Sequence, residues 1–161
     1  MKMFFLTLRR LAIALPVIFI LHVCEEAPSF VVWFNSMVSP GISQELLLSV
    51  NAVAFVITLF VGFSLAASPG PISGYIAVAW VGFLMLANGL FHIVATIAHG
   101  RYSPGTGTGA LLYLPLSMLL MRAVTRELGL SSLGVVAAAL VGGIPMYAHG
   151  YLIVFRGSRL F

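Results

Sequence analysis

The chain of 161 residues has no aspartate, one cysteine and only 7% charged residues, and each shortage excludes something. A soluble domain carries roughly 25% charged residues. With 61% hydrophobic residues this chain cannot cover itself with a water-facing surface, so it reads as an integral membrane protein. Cys24 is alone, which rules out an intrachain disulfide and gives no redox compartment. The net charge of +4 arises from Lys2, Arg9, Arg10, Arg101, Arg122, Arg126, Arg156 and Arg159 set against four glutamates. These cations fall at the ends of apolar segments, where they reach toward headgroups, and no basic face remains for nucleic acid.

What is present is apolar sequence in helix-length runs. They predict an all-α, polytopic membrane bundle of about five transmembrane helices, a single domain over 1–161. The expected segments are Leu11–Ser29, Ser43–Ala67, Tyr75–Ala98, Ala110–Val124 and Ser132–Phe155. Basic Met1–Arg10 followed by apolar Leu11–Leu21 has the outline of a signal peptide. The sequence Glu25-Glu26-Ala27-Pro28 lacks a small-x-small cleavage site, so the segment is read as a retained helix. Phe30–Val38 either extends that helix or lies at the interface. Ser39-Pro40-Gly41 and Ser68–Gly74 are breakers, and Gly100–Gly109 is a glycine-rich connection without the Gly-Lys-Ser/Thr ending of a phosphate loop. The small residues of Ala137–Gly143 suit close helix packing. Five cations on the N-terminal side against three on the other favour a cytoplasmic N-terminus.

The costly segment is His22-Val-Cys-Glu25-Glu26. One charged residue at a bilayer centre costs about 2.5–3.5 kcal/mol on insertion scales. On a helix Glu25 and Glu26 lie i+3 and i+4 from His22, so both carboxylates are expected to flank the imidazole. Asn88 and His92 are i, i+4, and His99 continues their face. At the helical rise, His22–Glu26 lies roughly 17–23 Å along the first helix, Asn88 and His92 roughly 20–26 Å along the third, and His149 roughly 26 Å along the fifth. The second helix runs the other way, and Asn51 lies roughly 12 Å from its start. All these groups therefore fall in one membrane half. Asn51 reads as an interhelical hydrogen-bond partner, His99 as interfacial residue or ligand, and His149 as ligand or packing residue beside the kink expected at Pro145.

Three motifs in order, His22-x-x-Glu25-Glu26, Asn88-x-x-x-His92 and Tyr102-x-Pro104-Gly105, make the chain resemble the HXXEE-domain family of small bacterial and archaeal membrane proteins. The resemblance covers residues 22–105 and implies a transmembrane enzyme of undetermined chemistry in a bacterial or archaeal cell membrane. From the residues themselves, the expected metal ligands are His22, Glu25, Glu26, His92, His99 and His149, and mixed imidazole and carboxylate donors suit iron or zinc. Glutamate and histidine on several helices also parallel the way di-iron sites are built in bundles. The expected activity is a metal-dependent oxidation of a lipophilic, membrane-accessible substrate, with Glu25, Glu26, Asn88 and Tyr102 acting on or orienting it. Two alternatives stand beside it. One is metal-free acid–base isomerisation of a lipid or terpenoid; the other is proton- or metal-ion-coupled transport.

Overall fold

A computed structural model describes residues 6–156, leaving the expected anchors Lys2 and Arg159 outside the described residues. Six helices follow in order: α1 (Leu6–Glu26), α2 (Phe30–Met37), α3 (Gln44–Ala67), α4 (Pro71–His99), α5 (Thr106–Glu127) and α6 (Ser132–Arg156). All but α2 are long and apolar enough to cross a membrane. Among the described residues there is no strand.

Local chemistry sets most of the boundaries. Pro28 cannot continue α1, and its ring disfavours helical geometry in the preceding residue, so the chain breaks there and restarts as the short α2. Ser43 caps α3 by accepting from the Leu46 amide at 3.0 Å. Pro71 opens α4 from its first turn, where its missing N–H costs nothing, so the helix begins earlier than the expected Tyr75. The glycine-rich run was expected to be connection as far as Gly109, yet Thr106–Thr108 already forms the first turn of α5. Two helices carry a wide π turn, Gly82–Ala87 in α4 and Gly109–Tyr113 in α5. In α5 the missing amide of Pro115 loosens the ladder above it, which favours that turn.

α1 packs on α3 and α5, while α4 packs on α3 and α6. Close approach rests on small residues: a Cβ on Gly82 would stand 2.3 Å from the Ala139 carbonyl oxygen, and one on Gly142 would stand 2.1 Å from that of Ala79. This is the expected use of the Ala137–Gly143 stretch, with α4 and α6 in backbone contact. The main core joins Leu8, Leu15 and Phe19 to Val78, Met85, Tyr113 and Leu120. A smaller aromatic cluster of Phe30, Trp33 and Phe34 seats α2 on α4 and α6 near Ala95 and Ile153.

Since α1 ends, α4 ends and α5 begins at the same face of the bundle, the His22–Glu26 segment, His92 and the 101–105 connection meet there. Ser103, Pro104 and Gly105 are buried, so the connection plugs the bundle end instead of standing away from it.

A buried His–Glu–His cluster

The two adjacent glutamates separate. Glu26 turns inward: its Oε1 lies 2.9 Å from His92 Nε2 and 3.5 Å from His22 Nε2. All three residues are buried, with exposures of 1%, 5% and 0% for His22, Glu26 and His92. Their donor atoms lie within 4.8 Å of one another. No lysine or arginine pairs with Glu26 among the described residues.

Glu25 goes elsewhere. It was expected to flank His22 beside Glu26; its carboxylate instead lies across the N-terminus of α5. The Thr108 amide and hydroxyl donate to Oε2 at 2.7 and 2.6 Å, and the Gly107 amide and the Tyr102 hydroxyl donate to Oε1, the former at 3.1 Å. A helix N-terminus presents unpaired amides and a positive dipole end, which suits a carboxylate. Three of the four glutamates serve helix N-termini: Glu25 on α5, Glu127 accepting from the Leu8 amide of α1 at 3.3 Å, and Glu45 in the first turn of α3. Glu26 alone is held by imidazoles. Tyr102 lies outside the spans, and its bond to Glu25 pushes its phenol above the ordinary tyrosine value.

Each histidine is oriented from behind. His22 Nδ1 meets Thr108 Oγ1 at 2.7 Å. The single hydroxyl hydrogen of Thr108 goes to Glu25, so Thr108 accepts from His22 Nδ1–H. The opposite nitrogen, Nε2, faces the Asn88 amide at 3.2 Å and Glu26. His92 Nδ1 meets Ser103 Oγ at 3.0 Å. Its Nε2 is buried and makes no hydrogen bond of good geometry despite the short approach to Glu26. Both imidazoles thus present Nε2 to one point, with Nδ1 engaged by a hydroxyl, the arrangement that fixes tautomer and ring orientation in metal sites.

Gly105 closes the cluster. Its φ is +102°, and a Cβ there would fall 2.8 Å from His92 Cε1 and 2.9 Å from His22 Cε1. The glycine of the Tyr-x-Pro-Gly motif therefore meets two demands, a left-handed backbone and contact with both rings. Tyr113 covers the other side, its ring centroid 4.2 Å from that of His22, and Phe30 and Phe91 edge against His92 at 5.5 and 5.3 Å.

His99 lies against Trp33, ring centroids 6.1 Å apart, and is not one of the three converging residues. His149, Asn51 and Asn88 line a cleft that reaches Glu26. The Asn51 amide also donates to Leu47 of its own helix at 3.0 Å. Sequence reading missed Thr108, Ser103 and Tyr113. Ser103 occupied the unspecified place in Tyr-x-Pro-Gly, and Thr108 lay within a run read as connection.

Breaking the relay should be measurable. Thr108→Val removes the acceptor for His22 Nδ1 and one donor to Glu25. In metal sites the loss of such a supporting hydrogen bond lowers metal affinity about 10–100-fold, and the same fall is expected here if the three converging donors hold an ion. Competition with a chromophoric chelator would read this out, and Thr108→Ser should restore the wild-type value.

Fold and site together define a class: an all-helical protein with five helices long enough to span a membrane and a buried two-histidine, one-glutamate cluster at one bundle end. The chain belongs to the family described as proteins of unknown function with an HXXEE motif, whose sequence profile matches residues 13–120. The matched stretch includes every residue of the cluster and its supports, and ends before α6 and His149. No match was found among curated proteins or among solved structures.

Proposed function

We propose that the protein is an integral membrane metalloenzyme in which His22, Glu26 and His92 hold one catalytic metal ion, iron or zinc. The observation that carries this reading is the convergence of three buried donors, with His92 Nε2 unpartnered by any good hydrogen bond. Without a cation, Glu26 would be a buried carboxylate facing two imidazoles whose other nitrogens are already engaged. A divalent ion balances the charge and uses both Nε2 lone pairs. Two histidines and one carboxylate match the donor sets of catalytic zinc and of non-haem iron, which leave coordination positions open for substrate.

The separation of the glutamates supports a single ion over the di-iron version, because Glu25 already receives four donors at the head of α5. Iron would supply oxidative chemistry and zinc Lewis-acid chemistry; oxidation of a lipophilic substrate is the version favoured here. The protein's own contribution is positional. Thr108 and Ser103 orient the imidazoles, Asn88 stands beside the cluster where the cleft reaches Glu26, and Gly105 with Tyr113 excludes water. The basic residues favour a cytoplasmic N-terminus, which puts the cluster in the outer half of the membrane.

The direct test is metal analysis of protein purified in detergent after growth with added iron and zinc. About one ion per chain is expected for a single three-donor site, removable by a strong chelator and restored by one of the two metals. Absence of bound metal after such growth and reconstitution would rule the reading out. Acid–base chemistry at Glu26, whose Oε1 is 2.9 Å from His92, would then be the reading left.

A further inference from the structure

The cluster is shut toward the water-facing end of the bundle and reached from the side. Buried Ser103, Pro104 and Gly105 cover it from the 101–105 connection, and Tyr113 seals its flank toward α5. Of the cluster, Glu26 lines a cavity, joined there by Asn88, which contacts His22. That cavity is a cleft of about 200 Å³ between α3 and α6, roofed by α2 and floored by α4. Its walls are apolar and aromatic, among them Phe83, Leu84, Phe91 and Met146. Polar side chains are confined to Asn51, Asn88, His149 and Glu26.

We propose that this cleft binds a membrane-dissolved molecule built as one unbranched or isoprenoid chain with a single hydrogen-bonding end group, of the alcohol or aldehyde class. The apolar walls take the part of the chain next to the end group. Asn51 and His149 meet that group as it approaches Asn88 and Glu26. The outer face of α3 exposes Val50, Val53, Phe60 and Phe63, so the remainder of the chain lies along lipid-facing surface. A phospholipid with two chains and a charged headgroup fits poorly, since the mouth has no lysine or arginine in its lining and a volume below the usual 300–1,000 Å³ of ligand pockets. The chemical step at this site rests on the metal reading above, whereas occupancy of the cleft does not.

The experiment is photo-cross-linking of the full chain in detergent or nanodiscs with a diazirine-bearing long-chain fatty alcohol, mapped by mass spectrometry. Labelling is expected on Phe83, Phe91 or Met146, competed by the unlabelled alcohol and not by a diacyl phospholipid. Ala54→Trp from the α3 wall, and independently Met146→Trp from the α6 wall, should each lower cleft labelling roughly tenfold by filling the volume a ligand needs. Lipid-facing Phe60 and Phe63 should label as before, and both variants should keep wild-type metal content. Labelling that ignores the competitor, or that persists in both tryptophan variants, overturns the proposal. If the wild type holds no metal while competed cleft labelling stands, the metal reading fails and the binding site survives. Metal with no competed labelling gives the reverse.

Discussion

Glu26→Gln should abolish the proposed metal binding while leaving the helices in place. Zinc bound by four protein ligands releases about 10–16 kcal/mol in small domains, or about 3 kcal/mol per ligand. Losing one of three ligands therefore weakens binding by roughly a hundredfold or more. Glutamine keeps the size of the side chain but removes the only anion among the converging donors. Bound metal should fall from about one ion per chain to below about a tenth after chelating buffer exchange. His92→Ala should do the same. His99→Ala should keep its metal, because that ring packs on Trp33 and takes no part in the cluster. Elemental analysis beside circular dichroism separates metal loss from misfolding. Full metal retention in Glu26→Gln would refute the assignment.

Gly105→Ala should do comparable damage by steric means. The added methyl would lie 2.8–2.9 Å from Cε1 of both imidazoles and from Nε2 of His92, and both rings are held from behind by Thr108 and Ser103. The backbone at φ +102° adds strain of about 1–3 kcal/mol for a residue with a Cβ. Metal content should fall sharply and the thermal midpoint in detergent should drop. Gly100→Ala is the matched comparison. Gly100 also has positive φ, at +62°, but nothing lies within 4 Å of its Cβ position. It should cost backbone strain of about 1–2 kcal/mol and leave metal binding unchanged. Equal metal loss in the two variants would mean that strain in the connection, and not contact with the histidines, is responsible.

Much of the bundle was legible because hydrophobic runs and proline and glycine breakers are local signals. The five long helices fall where those runs place them, and the polar residues of α1, α3, α4 and α6 gather in one half of the bundle as helical rise requires. Pairing His22 with Glu26 and His92 followed from spacing and depth. Other features depended on contacts far apart in sequence. Whether Glu25 or Glu26 faces inward is decided by the head of α5, which offers Glu25 two amides and a hydroxyl. The same carboxylate draws Thr106–Thr108 into a helical turn that composition alone reads as loop. Helical spacing put His99 on the face of Asn88 and His92 correctly, but α2 folds back to meet it with Trp33, which no local pattern announces.

The docking of Glu25 on α5 also imposes a timetable on synthesis. Glu25 and the Thr108 amide are 83 positions apart, so α1 must leave the ribosome and enter the membrane long before its carboxylate has a partner. At about 5–20 residues per second the delay is roughly 4–17 s. During that interval Glu25 lacks the donors at the head of α5, and His22 and Glu26 have only each other. Insertion machinery or a protonated intermediate has to shelter the first helix until the fourth long one arrives, and a stalled chain ending before Thr108 should be a ready target for membrane proteolysis.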